Sequence, residues 1–168
     1  MNFLELIRKR RAIRQFDSKE VEQEKLDYIL ECARFAPSAV NIQPWLFFIV
    51  KSEEKKKDLQ KAYPNRWIDS APFYIVACAD SEQSWKRSYD SKNHVDVDLS
   101  IAIEHICLAA AEQGLGTCWV CNFDPIICSQ ALELSEHIHP VAIIPIGYHS
   151  SVVKPQVRKP IKEIVKTI

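Results

Sequence analysis

Glycine is scarce in this 168-residue chain, and its scarcity excludes two classes of nucleotide site. The three glycines are Gly114, Gly116 and Gly147. A P-loop and the dinucleotide turn of a Rossmann fold both need several closely spaced glycines directly after a strand. Gly114 and Gly116 follow a predicted helix instead, and no third glycine completes the spacing. Any phosphate would therefore be held by side chains rather than by a glycine-rich loop.

Long hydrophobic runs and an excess of charge of either sign are also missing. No apolar stretch reaches the roughly 18–20 residues that span a bilayer, and 22 basic residues balance 22 acidic ones. These features argue against a membrane protein and against broad affinity for nucleic acid. The opening segment, MNFLELIRKRR, is acidic at Glu5 and lacks an apolar core, so we expect no secretory signal and a cytoplasmic location.

The cysteines give no clear sign of disulfide or metal chemistry. Most lie in apolar segments, and we expect them to be reduced and buried: Cys32, Cys78, Cys107, Cys118, Cys121 and Cys128. Cys118 and Cys121 have the spacing of a redox pair, but residues three apart in a strand point to opposite faces. His94, Asp96 and Asp98 could chelate a metal, although Asp98 is better explained by the positive end of the helix that begins there.

The length of 168 residues predicts a single domain over residues 1–168. The predicted elements are helices over 2–10, 21–36, 53–62, 97–113 and 125–134, and strands over 45–50, 72–79, 117–120 and 141–148. The helix over 97–113 is apolar nearly all round, so we expect a central buried helix that Gly114 ends. The continuous apolar run over 45–50 predicts a strand buried on both faces. The lysines over 53–62 predict a solvated helix face. The polar sequence over 80–93 predicts a surface loop or a short helix.

Three arginines stand within five residues, at Arg10, Arg11 and Arg14. A guanidinium group presents a planar fork of donors that suits bidentate binding of phosphate. The chain as a whole has no net charge, so positive charge concentrated in one short segment indicates a small anionic ligand. The alternative is a solvated charged surface, which is the usual explanation of a charge run.

The loop PSAVNIQP, between a predicted helix and a predicted strand, carries a second polar group. Pro37 and Pro44 restrict its backbone, while Ser38, Asn41 and Gln43 offer donors and acceptors. Amides on a rigid support can recognise the edge of a polar heterocycle. Turn formation alone is the alternative.

Taken in order, five segments resemble the FMN-dependent nitroreductase (NAD(P)H flavin oxidoreductase) family: RRAIRQF, APSAVNIQPW, GLGTCWVCNFD, PVAIIPIGY and VRKPIKEIV. The resemblance covers nearly the whole chain and makes it a short member. It implies an α+β fold, with a mainly antiparallel central sheet flanked by helices and a long buried central helix. It also implies an intertwined homodimer with two FMN sites at its interface.

The same resemblance implies a ping-pong oxidoreductase reaction. Hydride would pass from NADH or NADPH to the flavin and then to an electron-poor small molecule, such as a nitroaromatic or a quinone. Because the flavin carries the chemistry, no catalytic side chain and no metal are expected. We expect no nucleic-acid or membrane partner.

Site residues follow from the match to the family's segments. Arg10, Arg11 and Arg14, with Arg158 of the tail, fall where relatives bind the FMN phosphate. Ala12 lies in the same segment, at a position where many relatives have serine. The loop that relatives pack against the flavin from the partner subunit is matched by Pro37, Ser38, Ala39, Asn41 and Gln43.

The flavin ring has its own set of matched positions. Asn65 falls near the turn that contributes an amide to the isoalloxazine. Val120, Cys121 and Asn122 match the stretch whose backbone N–H groups face flavin N5 and O4. We expect the Cys121 thiol to be a bystander, because no lysine or histidine lies nearby in sequence to lower its pKa.

Three other functions stay open on the sequence. The first is a non-catalytic protein that binds or stores FMN. The second is an enzyme of the flavin-fragmenting or dehalogenating branches of the same family. The third is a thiol-based redox module built on Cys118 and Cys121.

Overall fold

A computed structural model describes residues 1–152 and 156–168. The helices are α1 (Phe3–Lys9), α2 (Gln23–Arg34), α3 (Glu53–Ala62), α4 (Val95–Glu112), α5 (Pro125–Leu132) and α6 (Ile161–Ile164). The strands are β1 (Trp45–Val50), β2 (Phe73–Asp80), β3 (Gly116–Thr117) and β4 (Ile138–Gly147). Short 3-10 helices cover Ala39–Asn41 and Arg66–Ser70.

The sheet has the order β1-β2-β4-β3, and each neighbouring pair is antiparallel. β2 lies inside the sheet and is buried at every residue, as its continuous apolar sequence predicts. Helices pack around this sheet, with α4 against β2 and α2. The predicted α+β fold with a mainly antiparallel sheet is confirmed.

β1 has the predicted bounds but not the predicted burial. It lies at one edge of the sheet, and Leu46 is 46% exposed. The prediction of burial on both faces is wrong because an apolar run does not distinguish an edge strand from a central one. β1 therefore presents an apolar surface that the described part of the chain does not cover.

The central helix α4 is buried along one side and open along the other. Leu99, Ile103 and Ile106 have no exposed surface, whereas Val97 is 54% exposed. Gly114 follows the helix with a φ of 77°, the left-handed conformation predicted for its end. The open side, with Phe3 of α1 beside it, lines a groove of about 800 Å³. The prediction of burial nearly all round is thus correct for one side only.

Two further details differ from the predictions. β3 contains two residues, and beyond it Val120 makes only an isolated bridge to Ile143. The lysine-rich helix α3 is not solvated at every lysine. Lys56 is buried, where its Nζ donates to the Ala71 carbonyl at 3.3 Å and pairs with Glu53 at 2.7 Å. Charge patterning missed the burial of this lysine because the Ala71 carbonyl lies 15 residues away in sequence, after the 3-10 helix Arg66–Ser70.

Candidate functional site

The arginine-rich segment continues the sheet beyond β3. The Ile13 N–H donates to the Thr117 carbonyl at 2.8 Å, and Ala12 forms a parallel bridge with Thr117. Side chains of an extended segment alternate between two faces. Ile13 is accordingly buried, whereas Ala12 and Arg14 are exposed. Gly116 permits this close approach, because a Cβ there would lie 2.7 Å from Ile13 Cγ1.

Arg14 is brought beside the turn that contains Asn65. Its guanidinium lies 5.9 Å from the centre of the Trp67 ring, and Trp67 belongs to the 3-10 helix that follows Asn65. The Phe16 N–H donates to Ser70 Oγ at 3.1 Å and ties the arginine segment to the same 3-10 helix. Asn65 itself is exposed. Arg14 and the turn at Asn65, which are distant in sequence, therefore lie at one edge of the fold.

The segment 120–122 reaches the same edge. The Asp124 N–H donates to the carbonyl of Ala62, the last residue of α3, at 2.9 Å. Cys121 and Asn122 are exposed there. The Val120 N–H, however, donates to the Ile143 carbonyl at 3.0 Å. The expectation that this amide faces a ligand is therefore corrected, because the bridge to β4 already uses it.

A basic cleft of about 440 Å³ lies on the inner side of the arginine segment. Four cationic side chains and one histidine line it, and none of its lining residues is acidic: Arg8, Lys9, Arg10, Arg11 and His149. Within residues 1–152 and 156–168, the buried Arg11 Nε and His149 Nδ1 have no hydrogen-bond partner. An anion would supply acceptors for such buried nitrogens.

A neighbouring cavity of about 640 Å³ brings the tail to the cluster. Arg158 lines it together with Arg10 and Arg11, so three predicted phosphate partners share one cavity. Arg10 Nε also lies 3.4 Å from a carboxylate oxygen of Glu104 on α4. Burial raises the pKa of the Glu104 carboxyl, and the charge of Arg10 opposes that rise.

The predicted loop forms a separate part of the site. It is tied to the start of α4, where the Ala39 N–H donates to Asp98 Oδ1 at 3.0 Å. Gln43 turns back on its own loop: its N–H donates to Ser38 Oγ at 2.8 Å and its side-chain amide donates to the Asn41 carbonyl at 3.2 Å. The two cavities lined by Arg10 and Arg11 contain no residue of 37–43. The loop and the arginine cluster thus do not meet in these cavities of a single chain.

The thiols divide into buried and exposed groups. Cys118 is buried and Cys121 is exposed, in agreement with the predicted divergence of their side chains. The prediction that the cysteines are buried is wrong for Cys121, because it lies after the bridge at Val120, and Cys32 is only partly buried. Burial raises the pKa of Cys118, and it raises the pKa of Cys78 and Cys128 to about 12. No group of three or more potential metal ligands occurs in the residues that the structure describes.

Sequence reasoning missed three residues around this site. Trp67 supports Arg14, His149 lines the basic cleft and Asp98 holds the loop. Asp98 was noted as part of the first turn of α4, but its contact with Ala39 joins residues 59 positions apart. No local pattern in the sequence signals such a contact.

The family follows from comparison with known proteins. The family model described as the nitroreductase family matches residues 7–65 and 60–148. The chain belongs to the nitroreductase family. The predicted family and enzyme class are thereby confirmed: the protein is an oxidoreductase of the nitroreductase type.

Individual nitroreductase-family proteins agree with this assignment. The chain is 34% identical over 153 residues to a provisionally named NADH dehydrogenase/NAD(P)H nitroreductase of Methanothermobacter thermautotrophicus, covering 88% of this chain and 78% of that protein. It resembles the crystal structure of a nitroreductase family protein of Clostridium difficile 630, with a TM-score of 0.91 and 36% identity, over 99% of this chain and 98% of the other. An FMN-dependent nitroreductase of Clostridium difficile R20291 matches with a TM-score of 0.80 and 31% identity, over 92% of each chain.

The helices were also compared with the requirements of a membrane span. Among the described residues, none of the helices combines the length and the apolar character needed to cross a bilayer.

Proposed function

We propose that this member of the nitroreductase family is an FMN-dependent NAD(P)H oxidoreductase that reduces an electron-poor small molecule. The observation that carries the proposal is the cleft of cationic side chains without a carboxylate, formed by the arginine segment against β3 and His149. The named relatives support it, since one is an NAD(P)H nitroreductase by name and another an FMN-dependent nitroreductase.

The donors present in the chain fit the phosphate of FMN. Arg10, Arg11 and Arg158 line one cavity, and the Arg11 Nε is a buried donor without a partner in the described residues. Guanidinium groups can bind phosphate oxygens in pairs, which fixes the orientation of the ligand as well as its affinity. We assign the phosphate to Arg10 and Arg11, which line both cavities, and to Arg158 of the second cavity, which Glu104 also lines. Arg14 lines neither cavity and is included on the resemblance to the family, and Ala12 gives no side-chain hydrogen bond.

The edge formed by Asn65, Cys121 and Asn122 fits the ring of FMN. All three residues are exposed, and the hydrogen bond from the Asp124 N–H to the Ala62 carbonyl joins the two segments that carry them. Asn65 offers an amide that both donates and accepts. The backbone amides of Cys121 and Asn122 follow the bridge at Val120, so the sheet holds their position. We assign the polar edge of the ring to these three residues, with Val120 giving support through packing only.

When bound, FMN would supply the redox chemistry, taking a hydride from NADH or NADPH and passing it to the acceptor in a ping-pong cycle. The residues of the chain bind the cofactor and fix its orientation. Arg14 places a permanent positive charge at the same edge as Asn65, and fixed charges and donors favour an electron-rich ring. No titratable side chain is assigned a proton transfer, so we assign that step to solvent.

Completion of the site by a second copy of the chain is part of the proposal. The loop 37–43 and the cavities of the arginine cluster are separate in one chain, and the open side of α4 is an apolar groove. Trp119 lines this groove, and its buried Nε1 has no hydrogen-bond partner within 1–152 and 156–168. In the tail, Ile161 and Ile164 are also exposed. A homodimer would cover these surfaces and bring the loop of one chain to the arginine cluster of the other.

Cofactor uptake and turnover test the enzymatic part. We expect the purified protein to bind about one FMN per chain without a covalent bond, and to prefer it to FAD because no adenine-nucleotide fingerprint is present. It should then oxidise NADH or NADPH repeatedly when a quinone or a nitroaromatic is supplied. Binding of FMN without turnover would instead favour a storage protein. Release of halide from a halogenated aromatic, without quinone reduction, would favour a dehalogenating enzyme.

Subunit complementation tests the shared site. Arg14→Ala removes a residue of the arginine cluster, and Asn41→Ala removes a side chain of the loop. If the two parts come from different chains, mixed dimers contain one intact site and one doubly altered site. After dissociation and random reassociation, about a quarter of the wild-type sites should return. No recovery, or a monomer that binds FMN in light scattering, would refute the shared site.

A further inference from the structure

The loop 37–43 holds an unusual amount of backbone strain for its length. Val40, Asn41 and Gln43 have φ angles of 46°, 60° and 56°. Asparagine tolerates this left-handed region, but a β-branched residue such as valine rarely adopts it. The Val40 side chain is 75% exposed, so packing of that side chain does not hold the conformation. Strained residues of this kind persist where the surrounding structure fixes the backbone.

One contact ties the start of the strained stretch to the rigid core. The Ala39 N–H, directly before Val40, donates to Asp98 Oδ1 at 3.0 Å. Asp98 is 4% exposed and lies in the first turn of α4, where a negative charge is favoured by the helix dipole. Its Oδ2 has no hydrogen-bond partner in the described stretches of the chain. The buried carboxylate is thus committed to a single donor, and that donor belongs to the loop.

The neighbouring contacts of the loop are internal and cannot replace this one. Gln43 contacts Ser38 and Asn41, which move with it. At the other end, the Pro44 carbonyl accepts from the Asp80 N–H at 3.0 Å and joins the loop to the end of β2. The loop is therefore held at both ends, by the sheet after Gln43 and by Asp98 before Val40.

We infer that Asp98 is a positioning residue for this site: its carboxylate holds the Ala39 amide, keeps Val40 and Asn41 in the left-handed conformation, and thereby sets the geometry of Ser38 and Asn41. The part of the inference that concerns the flavin rests on the proposed function. The part that concerns the loop does not, because it follows from contacts within one chain.

Hydrogen exchange of the FMN-free protein tests the loop directly. Asp98→Ala should accelerate exchange of the Ala39 amide by about tenfold or more, since a hydrogen bond to a charged group is lost. Asp98→Asn keeps an acceptor oxygen on a side chain of the same shape, so the exchange rate of the Ala39 amide should change little. Asp96→Asn is the matched control, because it removes an exposed charge from the same helical turn without a contact to the loop. Equal exchange in wild type, Asp98→Ala and Asp96→Asn would overturn the inference.

FMN binding then tests positioning against a merely structural role. Asp98→Ala should lower the affinity for FMN by about tenfold to hundredfold, and the visible circular dichroism of the bound flavin should change even at saturation. Asp98→Asn should keep both near wild type. Asp96→Asn remains the control for hydrogen exchange only, because Asp96 lines the groove that we propose a second copy covers. A lower melting temperature of Asp98→Ala, with unchanged FMN affinity and unchanged circular dichroism, would overturn the inference.

A rescue variant provides a further check on strain as the cause. Without Asp98, relief of strain at Val40 draws the loop away from its left-handed conformation. Glycine tolerates that conformation without a steric cost. Val40→Gly combined with Asp98→Ala should therefore recover part of the lost FMN affinity, and the absence of any recovery would contradict the assigned cause. If wild type binds no FMN at all, the proposed function fails, while hydrogen exchange still decides whether Asp98 holds the loop.

Discussion

Replacing Gly116 by alanine should displace the arginine segment, because the new side chain would collide with Ile13 of that segment. A Cβ at this position would lie 2.6 Å from His149 Cδ2, 2.7 Å from Ile13 Cγ1 and 2.9 Å from Ile13 Cβ. Carbon atoms in favourable contact are about 3.5–4.0 Å apart. Ile13 is buried and its N–H is bonded to the Thr117 carbonyl, so the side chain cannot turn away without moving the backbone.

The cost can be estimated from overpacked cores. Such substitutions destabilise a protein by about 1–3 kcal/mol. In a domain of this size, each kcal/mol lowers the melting temperature by roughly 2–4 °C, so we expect a fall of about 2–12 °C. FMN affinity should fall as well, because Ile13 lies between the arginines assigned to the phosphate. Thermal unfolding followed by circular dichroism, together with an FMN titration, measures both effects.

Gly114→Ala is the matched control for this experiment. Apart from its two chain neighbours, none of the described residues has an atom within 4 Å of a Cβ at Gly114, but its φ is 77°. Alanine there would strain the backbone by roughly 1–2 kcal/mol without contact with Ile13. Gly114 borders the basic cleft, so we expect a lower melting temperature and a smaller loss of FMN affinity than in Gly116→Ala. If Gly116→Ala left both quantities unchanged, the close approach of the arginine segment to β3 would be refuted.

Three further predictions concern the arginine, the exposed thiol and alkaline pH. Arg14→Ala should lower the affinity for FMN about tenfold to hundredfold more than the affinity for riboflavin, since a charge-assisted bond to phosphate is worth about 1.5–3 kcal/mol. Equal losses of affinity in titrations with both ligands would show that Arg14 acts structurally. Cys121→Ala should keep its flavin and most of its turnover, and loss of turnover with FMN still bound would bring the thiol into the mechanism. Burial raises the pKa of Cys78 and Cys128 from 9.0 to about 12. The free energy of unfolding should therefore fall as pH rises from about 9 towards 12, where these thiols ionise in the unfolded chain only. Denaturant titrations should show a smaller fall in Cys78→Ala than in wild type, because Cys128 still contributes; an equal fall in both proteins would contradict this source.

Local signals in the sequence predicted the elements well. Asp124 and Pro125 predicted the start of α5, where the Asp124 carboxylate accepts from the Ile126 and Ile127 N–H groups. Gly114 predicted the end of α4 by the same kind of reasoning. Such features are encoded within a few residues, and neighbouring elements do not alter them.

Features that depend on neighbours in space were less predictable. The exposure of Leu46 follows from the place of β1 at the sheet edge, which its own sequence does not contain. The use of the Val120 amide follows from a bridge to Ile143 on another strand. In both cases a partner elsewhere in the fold decided the outcome: β1 has the predicted bounds, whereas the strand predicted over 117–120 is limited to Gly116–Thr117.

The candidate site shows the same division. The arginine cluster and the loop 37–43 were visible as polar groups of unusual density in the sequence. The anchoring of the loop by Asp98 and the support of Arg14 by Trp67 were not, because each joins elements far apart in the chain. The resemblance to the nitroreductase family supplied the assignment of roles, and the structure supplied the contacts that hold those residues.

Anaerobic mixing of the FMN-loaded protein with NADH or NADPH tests the central claim most directly. The visible absorption of the bound flavin should be lost as the nicotinamide is oxidised, at one equivalent per flavin. Subsequent addition of a quinone or nitroaromatic, after removal of excess nicotinamide, should restore the absorption. A bound flavin that keeps its absorption with both nicotinamides, yet is reduced by dithionite, would contradict the account.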